Sequence, residues 1–232
     1  MNQNLVSREV IKITVENRQE ALEQMVDAGV VAVIRTESSE ELIEVAKAIR
    51  EGGVRCIEVA MTTPNALKVI EDVVDEIEDV LIGAGTVLDA ETARMAILSG
   101  AEYVVSPTTD YDMIEMAHRY DKVVAPGTFT PNEILNAWKA GGDIIKVFPA
   151  SRLGPKFLSD VKAPLPQVRL MPTGGVSKDN AADFIEAGAE VLCAGSSIID
   201  KEAIERGDYE VLTEKAEGLV EEVEKGRQRR ES

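Results

Sequence analysis

The chain has 232 residues, of which 44% are hydrophobic, so it can form one large domain with a sizeable core. Its 42 acidic and 25 basic residues give a formal net charge of −17, which opposes binding to nucleic acid or to an anionic membrane surface. The sequence contains no apolar run of about 18 residues and no secretory signal, so we expect a soluble, cytoplasmic protein. The carboxylate excess also resembles the surfaces of proteins from salt-loving cells.

Short apolar runs alternate with segments of helical periodicity along most of the chain. A helix around Asn17–Ala28 is predicted first, and an acidic helix over Tyr209–Lys225 is predicted last, followed by a frayed end at Gly226–Ser232. Eight runs between them are predicted as strands: Val30–Arg35, Arg55–Ala60, Val80–Ala84, Tyr103–Ser106, Lys122–Ala125, Asp143–Phe148, Val168–Pro172 and Glu190–Ala194. The intervening predicted helices are Ser39–Glu51, Pro64–Ile77, Ala90–Ser99, Tyr111–Arg119, Pro131–Lys139, Pro155–Val161 and Lys178–Ala187.

Several predicted helices have identifiable ends. Thr63 and Thr130 fit N-cap positions because each is followed by a proline, which favours the first helical turn. Three glycines fit the ends of helices: Gly100, Gly141 and Gly188. Eight strands separated by helices imply a parallel sheet, and in a chain of this length they favour a closed (β/α)₈ TIM barrel. We therefore expect an α/β fold with a single barrel domain over residues 1–232.

In a barrel, the active site forms at the C-terminal ends of the strands. Polar side chains concentrate at these ends in the predicted topology: Arg35, Glu58, Thr86, Ser106, Lys146, Thr173 and Ser196. Lys146 is the most informative of them, since its β-branched and aromatic neighbours predict a buried strand. Burial removes hydration from an ammonium group and favours the neutral amine, which is the nucleophilic form.

Strand alternation places Lys146 on the face opposite to Ile145 and Val147, and Glu58 on the face opposite to Ile57. Both polar side chains then point into the barrel and meet across its mouth. In this arrangement the amine attacks a ketone to form an imine, and the carboxyl group carries the protons of dehydration and enamine formation. Two structural alternatives stay open: Lys146 extends to solvent, or it forms a buried salt bridge with Glu58.

Small polar loops follow the last two predicted strands. Thr173–Ser177 leads into a helix, and Ala194–Ser197, which contains Gly195, follows the eighth strand. In barrels the loops at these two places commonly bind phosphate through backbone N–H groups and a helix N-terminus. Arg35 adds a positive charge for the same anion. The sequence therefore predicts a phosphorylated substrate.

These residues resemble a known family, the 2-keto-3-deoxy-6-phosphogluconate (KDPG) aldolases and their phosphogalactonate and 4-hydroxy-2-ketoglutarate (KHG) relatives. The resemblance spans about Val31 to Tyr209 and is carried by the segments Gly53–Val59, Gly83–Leu88, Ser106–Pro107, Ala125–Gly127, Lys146–Pro149 and Pro172–Val176. It implies that Lys146 is the Schiff-base residue and Glu58 the general acid/base, with no cofactor and no metal. It also implies that the pyruvyl carboxylate and the distal phosphate are bound by Thr86, Thr173, Gly174, Gly175 and Ser196.

The resemblance further implies a homotrimer of barrels that cleaves a phosphorylated keto-deoxy sugar acid to pyruvate and glyceraldehyde 3-phosphate, as in the Entner–Doudoroff pathway. One departure concerns substrate choice. Many gluconate-type members carry an arginine four residues beyond the catalytic glutamate, where this chain has Thr62. Arg35 and the segment Phe148–Pro155 look closer to the galactonate-type branch. The preferred epimer and the activity on 4-hydroxy-2-ketoglutarate therefore stay open.

Three other functions are compatible with a phosphate-binding barrel. A metal-dependent aldolase or epimerase needs clustered His and carboxylate ligands, whereas the single histidine, His118, lies in a predicted helix. An isomerase of tryptophan or histidine biosynthesis shares the glycine loops but does not need Lys146. A sugar-phosphate-binding barrel without turnover would release no pyruvate. Cys56 and Cys193 lie in apolar runs and are predicted as buried, reduced thiols.

Overall fold

The computed structural model describes residues 16–35 and 38–232. The helices are α1 Arg18–Ala28, α2 Ser39–Glu51, α3 Ala66–Glu76, α4 Ala90–Leu98, α5 Tyr111–Arg119, α6 Pro131–Lys139, α7 Gly154–Lys162, α8 Lys178–Glu186, α9 Lys201–Glu205 and α10 Glu210–Glu231. The strands are β1 Val30–Ile34, β2 Cys56–Ala60, β3 Leu81–Gly85, β4 Tyr103–Val105, β5 Val123–Ala125, β6 Gly127–Thr128, β7 Ile145–Val147, β8 Leu170–Pro172 and β9 Leu192–Ala194. A short 3₁₀ turn covers Ala150–Arg152.

The paired strands are parallel and form two sheets. One sheet has the order β5-β4-β3-β2-β1-β9 and the other the order β6-β7-β8. Pro126 separates β5 from β6, because proline has no N–H to contribute to the ladder. Isolated backbone bridges, Leu170 to Ala189 and Thr173 to Cys193, connect the β8 region to the β9 region. The α/β class and the parallel strands are confirmed, but within residues 16–35 and 38–232 the structure has nine short strands in two sheets, where the sequence predicts a single eight-stranded sheet.

Side-chain alternation along the strands builds two apolar layers. The outer layer lies between strands and helices and includes Ile57, Ile145 and Val147. The inner layer lies on the opposite face of the strands and contains Ala21, Leu22, Met25, Val31, Cys56, Leu81, Tyr103, Val105, Val123, Ala125, Ile144, Met171, Val191 and Cys193. Because three of these side chains belong to α1, that helix covers the inner layer at the amino-terminal ends of the strands.

The helix ends follow local capping signals, with one exception. Thr130 caps α6 as predicted and forms a capping box with Glu133. The prediction that Thr63 caps the third helix is wrong, since α3 begins at Ala66 behind Asn65. Asn65 has a φ of 53°, a left-handed conformation that asparagine tolerates better than most residues. The three predicted helix-ending glycines all have positive φ: Gly100, Gly141 and Gly188.

The C-terminal segment is ordered by contacts distant in sequence. The prediction of a frayed end at Gly226–Ser232 is wrong, because α10 continues to Glu231. Arg227 Nη2 donates to the carbonyl oxygens of Val26, at 2.6 Å, and Asp27, at 3.0 Å. These carbonyls lie in the last turn of α1, where the positive charge of an arginine also interacts favourably with the negative end of the helix dipole. The tail of α10 is therefore held against the last turn of α1.

No helix within residues 16–35 and 38–232 is both long enough and apolar enough to cross a membrane. Two sequence predictions extend over residues that the structure does not describe. One is the interpretation of residues 1–17 as lacking a secretory signal, and the other is the single domain over residues 1–232. Residues 1–15, 36 and 37 lie outside the described part.

Candidate active site

A cavity of about 230 Å³ lies at the carboxyl-terminal ends of the strands. It is lined by Val33, Arg35, Glu58, Thr86, Pro107, Lys146, Phe148, Thr173, Gly174, Gly175, Val176, Cys193, Gly195 and Ser196. The structure thus places all nine predicted catalytic and substrate-binding residues around one cavity. Ser106, a further polar residue at a strand end, is not among the lining residues. Its hydroxyl instead accepts a hydrogen bond from the Thr108 N–H at 3.2 Å.

Lys146 lies in the middle of β7 and is only 5% exposed. Its strand pairs on both sides, with Gly127 of β6 and Met171 of β8 as register partners. Its Nζ lies 5.3 Å from the centre of the Phe148 ring, a distance at which a cation and an aromatic face attract each other. The amine therefore lies in the wall of the cavity. The alternative in which it extends to solvent is wrong.

Glu58 occupies the middle of β2 and is 1% exposed. Its Oε1 lies directly over Gly85 of β3, where an added Cβ would overlap the carboxyl group. Its Oε2 is 3.6 Å from Cys193 Sγ. Burial raises the pKa of Glu58, while the positive charge of Lys146, the Cys193 contact and the charge of Arg35 act in the opposite direction. A raised pKa suits a carboxyl group that both donates and accepts protons.

Lys146 and Glu58 face the same cavity from two different sheets. The lysine charge acts on the carboxyl group, yet no ion pair within 4.0 Å joins these two described side chains. The alternative of a direct buried salt bridge is therefore not what the structure contains. A ketone bound in the cavity can reach the amine without first displacing a salt bridge.

Three residues of the cavity wall have left-handed backbone conformations. Thr86 follows β3 with a φ of 59°, which is strained for a β-branched residue. Gly174 and Gly175 follow β8 with φ values of 86° and 81°. An added Cβ on Gly175 would collide with Ser151 of the 3₁₀ turn. Strain such as that at Thr86 concentrates at ligand-binding sites, and glycines allow the backbone to approach a ligand closely, so both features favour a binding role for these two loops.

The charges at the cavity suit an anionic ligand. Its lining includes two cationic residues, Arg35 at the end of β1 and Lys146, although the chain as a whole carries a formal charge of −17. Beyond the Gly174–Gly175 loop, α8 begins behind Ser177, which forms a capping box with Asn180. A helix N-terminus near exposed backbone favours negative charge.

Sequence reasoning missed five of the lining residues: Val33, Pro107, Phe148, Val176 and Cys193. Both cysteines are buried and free, as predicted. The contact between Cys193 and Glu58 was not predicted. Strand alternation in the sequence places Cys56 and Glu58 on one face of β2. In the structure, Val31 of β1 pairs with both Cys56 and Cys193, which brings Cys193 to the same region. That pairing order, however, is not encoded in any local motif.

The described residues contain no group of three or more His, Cys, Asp or Glu side chains that could hold a metal ion. His118 lies on α5, and its Nε2 is 3.3 Å from Asp143 Oδ2. Asp143 lies at the amino-terminal end of the β7 segment, the stretch of residues 143–148 that contains β7. His118 is therefore remote from the cavity lining. The metal-independent reaction stays a prediction.

Comparisons with known proteins give one consistent family. A family model described as KDPG and KHG aldolase matches residues 9–215. The chain is 34% identical to the 2-dehydro-3-deoxy-phosphogluconate aldolase of Treponema pallidum over 195 residues, which cover 84% of this chain and 91% of that protein. A solved native KDPGal structure superposes with a TM-score of 0.80 at 28% identity, covering 86% and 96% of the two chains. KDPG aldolase from Legionella pneumophila, with pyruvate captured as a covalent carbinolamine, superposes with a TM-score of 0.78 at 28% identity, covering 84% and 96%.

Proposed function

Because the chain belongs to the KDPG and KHG aldolase family, we propose that it is a metal-independent Schiff-base aldolase. It cleaves 2-keto-3-deoxy-6-phosphogluconate to pyruvate and glyceraldehyde 3-phosphate. The observation that carries this proposal is one buried amine and one buried carboxyl group that face a single cavity from two sheets without forming an ion pair. Such groups cost stability, so their placement in a cavity favours a catalytic role.

The reaction begins when Lys146 passes a proton to the Glu58 carboxylate and the resulting neutral amine attacks the C2 ketone of the substrate. The carbinolamine loses its hydroxyl as water after Glu58 donates a proton, and a protonated imine forms. The Glu58 carboxylate then takes the proton of the C4 hydroxyl while the C3–C4 bond breaks, and the bonding electrons flow to the imine nitrogen. Glyceraldehyde 3-phosphate leaves, and Glu58 returns a proton to C3 of the enamine. Water hydrolyses the resulting imine to release pyruvate and the free amine.

The remaining lining residues bind the two ends of the substrate. Thr86 and Thr173 contact the pyruvyl carboxylate, and Arg35 adds positive charge. The phosphate lies against the two loops after β8 and β9, at Gly174, Gly175, Gly195 and Ser196. The left-handed backbone at the first loop and the neighbouring N-terminus of α8 support this assignment.

The finer architecture is also part of the proposal. We infer that the two sheets close into one (β/α)₈ barrel, supported by the Thr173–Cys193 bridge on one side and by the Lys146 N–H bond to the Pro126 carbonyl, at 3.0 Å, on the other. We infer a homotrimer, supported by Leu88, Met95 and Leu98, which are 56%, 53% and 62% exposed and which subunit contacts would bury. A mass near 25.1 kDa in light scattering would contradict it.

We place the protein in the cytoplasm, since both of its thiols are free and buried. Recovery in a membrane or secreted fraction would contradict this location. The amine mechanism itself is tested by borohydride reduction in the presence of pyruvate. We expect a pyruvyl-derived mass on the peptide that contains Lys146, whereas the peptide that contains Lys162, on α7, stays unmodified. Saturable binding of a sugar phosphate, with no adduct and no release of pyruvate, would instead favour a binding barrel, and loss of activity in a chelator would favour metal-dependent chemistry.

A second substrate, the galactonate epimer, is favoured by one specific observation. Thr62 stands at the position where many gluconate-type members carry an arginine, and it is not among the residues that line the cavity. Its neighbours between Met61 and Asn65 are not among the lining residues either. Epimers differ by one hydroxyl placement, which one or two side chains decide. Comparing kcat/KM for the two epimers and for 4-hydroxy-2-ketoglutarate assigns the physiological substrate class.

A further inference from the structure

The thiol of Cys193 lies beside the carboxyl group of Glu58. It has no part in the proposed aldolase mechanism. Its Sγ is 3.6 Å from Glu58 Oε2, within the range of a hydrogen bond to sulfur. Cys193 is 1% exposed, and it borders the cavity. A neutral S–H in this position is a weak donor, and a buried carboxylate oxygen is a good acceptor. The contact is therefore able to orient the carboxyl group.

The position of Cys193 in the fold gives this contact its importance. In β9, it pairs with Val31 of β1, in the sheet that carries Glu58. It also forms a backbone bridge with Thr173, which directly follows β8 in the sheet that carries Lys146. Cys193 thus lies where the two sheets meet. A side chain anchored there fixes the carboxyl group relative to the amine on the opposite sheet.

The other groups around Glu58 leave Cys193 as its hydrogen-bond donor. Lys146 of β7 and Arg35 at the end of β1 act through charge. Tyr103 of β4 and Cys56 of β2 also interact electrostatically with this region, and burial raises the pKa of both, that of Cys56 to about 12, so they stay neutral. On its other side, Oε1 lies over Gly85. The carboxyl group is therefore confined between the backbone of β3 and the thiol of β9.

We propose that Cys193 is a positioning residue for proton transfer: its S–H donates to Oε2 of Glu58 and holds the carboxyl group in place over Gly85, at the cavity where it exchanges protons with the substrate. The proposal rests on the acid/base function proposed for Glu58. A donor to the ionised form favours the carboxylate over the neutral acid. Cys193 thereby offsets part of the pKa increase that burial imposes on Glu58.

The test is the pH profile of kcat/KM in Cys193→Ala and Cys193→Ser, with Cys56→Ala as a matched control. Cys56 is an equally buried inner-layer thiol that does not line the cavity. Loss of the donor in Cys193→Ala should move the acid limb upward by about half a pH unit and lower kcat about fivefold, with KM nearly unchanged. Cys193→Ser restores a donor and should return the limb to the wild-type position or below it, and Cys56→Ala should not move it.

Acid limbs that stay at the wild-type position in both Cys193 variants would overturn the proposal, as would an equal shift in Cys56→Ala. If Cys193→Ala does not fold, Cys193→Ser against Cys193→Val gives the same comparison of donor against no donor. Wild-type turnover is measured in parallel. A wild-type protein that releases no pyruvate overturns the proposed function itself, whereas normal turnover with unmoved limbs overturns only the role of Cys193.

Discussion

The two ends of the β7 segment carry charged side chains in different surroundings. At the amino-terminal end, Asp143 is surrounded by partners. Its Oδ2 accepts from the Val124 N–H at 3.0 Å and lies 3.3 Å from His118 Nε2, and its Oδ1 lies 3.8 Å from Arg18 Nε. These contacts join α1, α5, β5 and the β7 segment. Charge at this end therefore holds elements together.

At the carboxyl-terminal end, the same segment carries Lys146 into a cavity that it shares with Glu58. Both side chains are more deeply buried than Asp143, at 5% and 1% exposure, yet no ion pair within 4.0 Å joins them. Burial without direct pairing is costly, and the cost is tolerated where a ligand completes the site. The direct pairing of its charged groups, more than their depth of burial, therefore distinguishes the Asp143 end from the cavity that Lys146 and Glu58 share.

The substitution Lys146→Met, at the cavity end of the β7 segment, should have the largest effect on activity. We expect cleavage to fall by at least about 10⁴-fold, because no other amine lining the cavity can form the imine. The melting temperature should stay constant or rise, since a buried charge is removed. Pyruvate release and thermal unfolding measure the two effects.

The matched control is Lys122→Met, which removes an ammonium group 2.6 Å from Glu102 just before β5. That variant should keep its turnover. Retained cleavage in Lys146→Met would instead point to chemistry that needs no amine, as in a metal-dependent aldolase.

Glu58→Gln should lower kcat by about 10²- to 10³-fold, because the amide cannot exchange protons. It should also stabilise the protein near neutral pH. Burial raises the folded-state pKa of Glu58, so its ionisation opposes folding, and stability is lost as pH rises through the window between its unfolded and folded pKa values.

We therefore expect the melting temperature of Glu58→Gln to exceed that of the wild type by about 2–4 °C at neutral pH. The difference should shrink towards about pH 4, where the carboxyl group is largely protonated in both states. Thermal unfolding across pH measures it. A variant that is less stable than the wild type at neutral pH would show that the Glu58 carboxylate is stabilising.

Asp143→Ala tests the contribution of the paired carboxylate at the amino-terminal end of the β7 segment to stability. It removes the acceptor of the Val124 N–H and the partner of His118 and Arg18, so we expect a loss of about 1–3 kcal/mol in the free energy of unfolding. Denaturant unfolding measures the loss, and kcat/KM should stay within about twofold of the wild type. Asp143→Asn, which keeps one acceptor oxygen, should lose less. Lower activity with unchanged stability would assign Asp143 to the reaction.

Local signals were sufficient for much of the fold. The bounds of α2, α5 and α6 agree with the predictions from periodicity and capping, as the Thr130–Glu133 box illustrates for α6. Polar residues at strand ends identified most of the polar residues of the cavity lining, with Ser106 as an exception, because parallel strands bring all their carboxyl ends to one side. Both inferences need only sequence neighbours and the topology rule.

The errors arise where distant contacts decide. Arg227 orders the end of α10 through carbonyls 200 and 201 residues away, which no local pattern encodes. Asn65 displaces Thr63 as the cap because the chain turns through a left-handed residue first. The Cys193 contact depends on the order of three strands, β2, β1 and β9. Sequence thus indicates which residues reach the site, but their mutual contacts require the assembled sheets.

Gly85 shows how an absent side chain can shape a reaction. It has no reactive group, yet the Glu58 carboxyl fills the space that any larger residue at that position would occupy. Any larger side chain at this position would therefore displace the Glu58 carboxyl group. Among related sequences, the choice of residue at position 85 is therefore as restricted as the choice at position 58, because the carboxyl group of Glu58 occupies the space of a side chain at Gly85.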